Sequence, residues 1–266
     1  MGKDDRAITL EIADGVARIV LNRPQTGNGI GVDFVDDLDA ITLECSERDD
    51  IRAVVLASIG PRFCVGGDIG GMTSGLGDAT LSSYIRKCNA SLHGSVARLQ
   101  HLAAPSIAVV QGTAAGGGLS LLAGCDIVIA ADTAKFVAAY ASIGYCPDMG
   151  GSTVVTQRMG VARARRFYLL HEQLDAAAAQ QTGLVDMVTA PAALNAEADA
   201  IVQRWAQGPT AAYAAVRRLM LTAATQPIEA QMERETQAIA RLARSEDARE
   251  ALRAFLDKRP AVFRGR

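Results

Sequence analysis

The chain holds 266 residues, enough for one large domain or two small ones, and with 49 % hydrophobic and 21 % charged residues it has ordinary folded composition. A formal net charge of −2 gives no electrostatic case for nucleic acid. No apolar run approaches the roughly 20 residues of a membrane helix and no basic, apolar leader opens the sequence, so a cytoplasmic protein is expected.

Ile8 to Ile12 alternates apolar and polar residues, Asp14-Gly15 supplies a turn, and Val16 to Leu21 follows, which predicts a β-hairpin. Phe34, Leu38, Ile41 and Cys45 recur at helical spacing between Asp33 and Ser46. The β-branched run Ile51 to Ser58 then predicts a buried strand, which leads into Phe63-Cys64-Val65-Gly66-Gly67-Asp68-Ile69. A mobile glycine loop over Gly70 to Gly77 precedes a helix from about Leu81 to Leu102, ended by Pro105. Ser106 to Val110 repeats the strand, and Gly112-Thr113-Ala114-Ala115-Gly116-Gly117-Gly118 repeats the glycine loop, before a short helix and a strand at Ile127 to Ala130.

Past Asp175 the chain turns to Ala-rich helices broken at Gly183, Pro191, Gly208-Pro209 and Pro227, with Gly183 to Val188 as the last strand. Ser245 is placed to cap a final helix that carries acids in its first turn and cations towards Lys258. The repeated strand-loop-helix units predict an α/β protein with right-handed parallel connections, a core over residues 1–192 and a helical module over 193–266. Periodicity alone leaves a spiral and a doubly wound sheet open. Five cysteines without a C-x-x-C pair and three histidines without ligand spacing suggest buried, reduced thiols and no metal.

Both glycine loops end strands and present backbone N–H groups unobstructed by side chains. The Gly117 N–H is expected at a helix N-terminus, where unpaired donors and the macrodipole favour negative charge. Such runs also serve as tight turns or close packing points.

With a third segment, Ala134-Lys135-Phe136-Val137 through Ile143-Gly144-Tyr145-Cys146-Pro147-Asp148-Met149-Gly150-Gly151-Ser152, the chain resembles the enoyl-CoA hydratase/isomerase (crotonase) superfamily. The resemblance runs from Leu21-Asn22-Arg23-Pro24 to Phe255-Leu256-Asp257-Lys258-Arg259. It implies a crotonase-like ββα spiral, a coenzyme A thioester as substrate and no tightly bound cofactor. It also implies a C-terminal helical module that packs homotrimers, often paired into hexamers, whose last helix reaches a neighbour's pocket. The family's two oxyanion-hole donors fall on the N–H groups of Gly67 and Gly117. Two donors polarise a thioester carbonyl and acidify its α-proton, and losing one in comparable sites costs about 3–4 kcal/mol of transition-state stabilisation. Asp68 is read first as shaping its turn. Arg23, the backbone of Gly66, Asp68 and Ile69, and Lys258 with Phe263 are expected around the phosphates and adenine of coenzyme A.

Hydratases of the family carry two glutamates where this chain has Ser120 and Tyr140. Water addition commonly uses a carboxylate pair, so ordinary hydration is not expected. Asp148 reads as a helix N-cap on composition. In the family's isomerases with Pro-Asp-x-Gly-Gly, including the ring-opening isomerase of phenylacetate degradation, this position is the catalytic carboxylate. One carboxylate suffices for a 1,3-proton shift with the enolate held in the hole, in a pocket walled by Leu92, Val137, Tyr140 and Ile143. A related branch, the chlorobenzoyl-CoA dehalogenases, pairs a nucleophilic aspartate here with a histidine at the place of His93, which implies hydrolysis as the competing chemistry. An atypical hydratase and a non-catalytic acyl-CoA-binding protein are the remaining readings.

Overall fold

The computed structural model describes residues 6–73 and 78–266. Strand β1 (Ile8–Ala13) pairs antiparallel with β2 (Val16–Leu21) around Asp14 and Gly15, which both have positive φ. Two successive positive-φ residues suit a turn of the primed kind, whose twist matches that of the strands it joins. Helix α1 (Val32–Ser46) follows and buries Phe34, Leu38, Ile41 and Cys45.

A unit of long strand, short strand and helix then recurs. Strands β3 (Ala53–Ser58) and β4 (Arg62–Cys64) precede helices α2 (Ile69–Thr73) and α3 (Asp78–His101). Strands β5 (Ser106–Val110) and β6 (Thr113–Ala115) precede α4 (Gly117–Ala123). Strands β7 (Ile127–Ala131) and β8 (Lys135–Val137) precede α5 (Gly151–Met159) and α6 (Val161–Leu169). After β9 (Gln173–Asp175), α7 (Ala176–Gln181) and β10 (Met187–Thr189), one sheet has the order β1-β2-β3-β5-β7-β10 and the second the order β4-β6-β8-β9. The long strands β2, β3, β5, β7 and β10 are parallel neighbours in chain order, so the sheet winds in one direction without reversing. This is the ββα spiral, and the doubly wound alternative is excluded.

The corners between long and short strands stack. A Cβ on Gly112 would lie 2.1 Å from the Pro61 carbonyl oxygen, so the second corner sits on the first only because it carries glycine. The Gln111 amide ties them further, donating to Ser58 Oγ at 2.8 Å and to the Gly60 carbonyl at 2.9 Å.

Both faces of the large sheet are covered, which is why β3, β5 and β7 read as continuous apolar runs. Ile19, Leu56, Ala108 and Val128 share one cluster with Phe34, Phe63, Phe136 and Phe167, aromatic rings that are each at most 2 % exposed. Such a ring contributes about 1.5–3 kcal/mol by leaving water. Val55, Ile107, Val109 and Ile129 face the other way, onto Leu194, Ala198 and Val202 of α8 (Leu194–Ala206). The helical stretch therefore begins with a helix that forms a layer of the core.

Helix α9 (Thr210–Ala223) docks through buried Arg217, whose guanidinium meets the Asp126 carboxylate and donates to the carbonyls of Leu99 and Leu102. Helices α10 (Ile228–Leu242) and α11 (Glu246–Leu256) complete the chain, and Ser245 Oγ caps α11 by accepting from the Ala248 N–H at 3.0 Å. Met220, Ile239, Leu252, Phe255 and Leu256 on these helices are 68–81 % exposed. No described helix is long and apolar enough to cross a membrane.

Three local expectations are corrected. The last strand covers only Met187–Thr189, because Leu184 and Val185 turn back to donate to the Ala179 carbonyl. Part of the segment read as a mobile loop is helix α2, and residues 74–77 of it lie outside the described residues. Cys146 is exposed and Cys88 half-buried, whereas Cys45, Cys64 and Cys125 are buried.

Candidate active site

The glycine loops after β4 and β6 meet face to face. Gly66 and Gly116 have φ of +88° and +50°, conformations that bulkier residues rarely adopt. A Cβ on Gly66 would fall 3.2 Å from the Gly117 nitrogen. Ile30 forms a parallel bridge with Gly67, donating to the Gly66 carbonyl and accepting from the Asp68 N–H. In extended backbone successive peptide groups alternate in direction, so the Gly67 N–H points away from Ile30. Gly117 opens α4, and its N–H is among the donors that a helix leaves unpaired. Neither N–H has a hydrogen-bond partner among the described residues.

These two glycines line one end of a cavity of about 290 Å³. One wall is the α3 stripe Leu81, Tyr84, Ile85, Cys88, Asn89 and Leu92, spaced as a single helical face. The lining also includes Tyr140, Ile143, Tyr145, Cys146 and Asp148, with Met149 and the Tyr140 hydroxyl close to Gly117. Val137, expected in the cavity wall, is not among the lining residues, and Ala139 lines it instead. Burial raises the Tyr84 phenol to about 12, helped by its Cys88 neighbour and by the charge of Asp68. At the end of β4, burial holds the Cys64 thiol at about 12 against the opposing pull of the Gly66 N–H.

Asp148 sits at the first position of a tight turn whose central residues, Met149 and Gly150, both have positive φ. Its carbonyl accepts from the Gly151 N–H at 2.8 Å and from Ser120 Oγ at 3.0 Å. Its carboxylate accepts from the Tyr140 hydroxyl at 2.5 Å. The N-cap of α5 is Gly150 and no side chain caps that helix, so the capping reading of Asp148 is excluded. Burial, then the Asp148 charge and the bond to it, push the Tyr140 phenol far above its ordinary value, against the Ser120 hydroxyl and the Asp148 N–H. Burial and the same carboxylate raise Tyr168 of α6, whose hydroxyl donates to the Gly151 carbonyl at 3.3 Å.

The structure separates the other expected site residues. Gly66, Gly67, Ile69, Leu92, Gly117, Tyr140 and Asp148 line the cavity, while Ser120 is buried behind Asp148 and does not. Asp68 Oδ1 accepts from the Gly71 N–H at 3.1 Å, the turn-shaping geometry. His93 is exposed and lies outside the lining, one residue round the helix from Leu92, so among the described lining residues the hydrolytic reading finds no histidine base. Arg23 lies apart from the cavity and donates to the Arg6 carbonyl at 2.8 Å. Lys258 and Phe263 are also outside it, the latter with its carbonyl 3.4 Å from the Arg52 guanidinium.

Two residues escaped sequence reasoning. Asn28 is 1 % exposed and its amide donates to the carbonyls of Ile59, Arg62 and Phe63, which anchors the strand entering the first glycine loop. Its setting, Gly27-Asn28-Gly29 with φ of +56° at Asn28, is a turn signal in the sequence. Ile30 carried no signal, because its bridge to Gly67 depends on contact remote in the chain. Among the described residues no group of three His, Cys, Asp or Glu is placed to hold a metal.

A family model described as enoyl-CoA hydratase/isomerase matches residues 11–266. The chain is 35 % identical over 272 residues to the 1,2-epoxyphenylacetyl-CoA isomerase of Escherichia coli, covering 97 % of this chain and 98 % of that one. With the same coverage it is 34 % identical over 260 residues to a probable enoyl-CoA hydratase of Rhodobacter capsulatus. A solved structure described as an enoyl-CoA hydratase/isomerase from Mycobacterium abscessus superposes with a TM-score of 0.93 at 33 % identity, covering 98 % of this chain and all of that one. The relatives' names span hydratases and isomerases and leave the reaction to the residues.

Proposed function

The chain belongs to the enoyl-CoA hydratase/isomerase family of acyl-CoA-processing enzymes, and from that premise we propose that it is an enoyl-CoA isomerase that shifts a double bond by proton transfer through Asp148. One observation carries the reading: Asp148 holds the one carboxylate among the described residues that line the cavity. Ser120 and Tyr140, at the places of the hydratase glutamates, are both engaged in holding Asp148.

In a 3-enoyl thioester bound with its carbonyl oxygen between the Gly67 and Gly117 N–H groups, Asp148 takes a proton from C2. The C–H pair moves into the C1–C2 bond and the oxygen becomes an enolate, which the two donors stabilise more than they stabilise the ground-state carbonyl. The pair then shifts to C2–C3 as Asp148 returns the proton to C4. No water enters as a reactant, which suits a cavity walled by Ile30, Leu92, Ile143 and Met149.

Coenzyme A is assigned to the backbone of Gly66 to Ile69 and to Arg23, with Lys258 and Phe263 contributed from a neighbouring copy. Their distance from the cavity of their own chain and the exposed apolar residues of α9 to α11 support a homotrimer or hexamer. The test is Asp148→Asn, assayed with 3-enoyl-CoA. The expected loss of rate is about 10²–10⁴-fold, with acyl-CoA binding retained. An Asn variant that isomerises at the wild-type rate, or a wild-type enzyme that hydrates 2-enoyl-CoA faster than it isomerises 3-enoyl-CoA, overturns the proposal.

A further inference from the structure

Asp148 has two carboxylate oxygens, and they are not equivalent. The Tyr140 hydroxyl donates to Oδ1, whereas Oδ2 has no hydrogen-bond partner among the described residues. A phenol proton on one oxygen lowers the proton affinity of that oxygen and fixes the carboxylate plane. Both partners are anchored by their main chains. The Tyr140 carbonyl accepts from the N–H groups of Ile143 and Tyr145 at 3.1 and 3.0 Å, and the Asp148 carbonyl is held by Ser120 and Gly151. The Tyr140 hydroxyl is also close to the hole, 3.7 Å from the point where a Gly117 Cβ would stand.

Resting on the proton-transfer reading above, we propose that Tyr140 is a positioning residue that reserves Asp148 Oδ2 as the single oxygen which takes the proton from C2 and delivers the same proton to C4. Oδ2 becomes O–H as the C2–H pair enters the C1–C2 bond. On the return step the C3–C4 pair captures that proton, the C1–C2 pair moves to C2–C3, and the enolate oxygen regains its double bond to C1. Asp148 ends as it began and no co-reactant is consumed. With Oδ1 occupied by the phenol, the proton stays on Oδ2 instead of passing to the second carboxylate oxygen, and exchange is confined to Oδ2. While the bound acyl chain covers Oδ2, the proton is carried across one face of that chain.

The reading is tested by turning over 3-enoyl-CoA in D₂O and measuring deuterium in the 2-enoyl product by mass spectrometry before product re-enters the site. The wild-type enzyme is expected to take up well under one deuterium per turnover. Tyr140→Phe keeps the ring and removes the hydroxyl. It is expected to lower kcat about ten- to a hundredfold with KM little changed, and to raise deuterium uptake towards one per turnover. Ser120→Ala, which takes one of two donors from the Asp148 carbonyl and leaves its carboxylate bonded, is expected to raise uptake less. Full uptake by the wild-type enzyme overturns the proposal whether or not the Phe variant folds. So does a Phe variant with wild-type kcat and uptake, or one in which KM alone rises, the mark of a residue that only shapes the acyl pocket. Failure of the underlying reading is separate: it shows as an Asp148→Asn enzyme that still isomerises.

Discussion

Gly66→Ala would place a methyl group in the seam between the two glycine loops. An added Cβ would lie 3.1 Å from the Ala115 carbonyl oxygen, 3.2 Å from the Gly117 nitrogen and 3.3 Å from the Gly116 Cα. All three are main-chain atoms, so no side-chain rotation relieves the contact. The φ of +88° adds a left-handed penalty of about 1–2 kcal/mol for an L-residue. Relief requires the loops to part slightly, and the displacement falls on the Gly67 and Gly117 donors. Complete loss of one such donor costs about 10²–10³ in kcat, and partial misalignment is expected to cost about 10–100-fold. The folding cost corresponds to a fall of about 2–8 °C in Tm. Thermal unfolding and steady-state isomerisation of 3-enoyl-CoA, measured on one preparation at a temperature where the variant is fully folded, separate the two effects. A variant that loses Tm and keeps the wild-type kcat would show that the spacing of the loops does not set the catalytic geometry, and would refute the oxyanion-hole assignment.

Asn28→Ala removes the bonds its amide donates to the Ile59, Arg62 and Phe63 carbonyls, of which Arg62 keeps Gln111 as a donor, and is expected to cost about 2–4 kcal/mol in urea unfolding; an unchanged midpoint would remove Asn28 as the anchor of the first loop. Three half-buried phenols predict the alkaline limb of stability. Tyr84 is raised to about 12 and Tyr140 and Tyr168 are raised as well, whereas unfolded tyrosines titrate near 10. The folded state holds these protons more tightly, so this stabilisation is complete below about pH 10 and is lost as pH rises through 12. Absorbance at 295 nm is expected to show these three phenols ionising above the ordinary tyrosine range, and independent titration of all five tyrosines near pH 10 in the folded protein would contradict the raised values.

The large sheet was legible because β3, β5 and β7 are buried on both faces and so announce themselves as apolar runs. The small sheet was not: Arg62–Cys64, Thr113–Ala115 and Lys135–Val137 are three residues each, too short to show any period. The two glycine loops were visible as sequence, but their mutual contact was visible only through resemblance, since nothing local says that Gly66 and Gly117 meet. Asp148 shows the limit from the other side. Its position before a helix suggested a cap, and the positive φ of Met149 and Gly150, which turns the side chain away from that role, has no residue-type signal at Met149. His93 has helical spacing close to Leu92, but one residue is about 100° of helix, and that rotation takes it out of the cavity.

Both donors of the proposed hole are main-chain atoms, whereas the groups that the proposed mechanism uses to hold and move the proton are side chains: Ser120 three residues into the helix that Gly117 opens, and Tyr140 and Asp148 on the following segment. A point substitution can exchange any of those three without touching the hole, yet no substitution can replace a peptide N–H except proline. On the proposed mechanism the scaffold thus divides its labour: the main chain at Gly67 and Gly117 meets the thioester oxygen, and the side chains at positions 120, 140 and 148 set which reaction follows, so the reaction is open to change one side chain at a time.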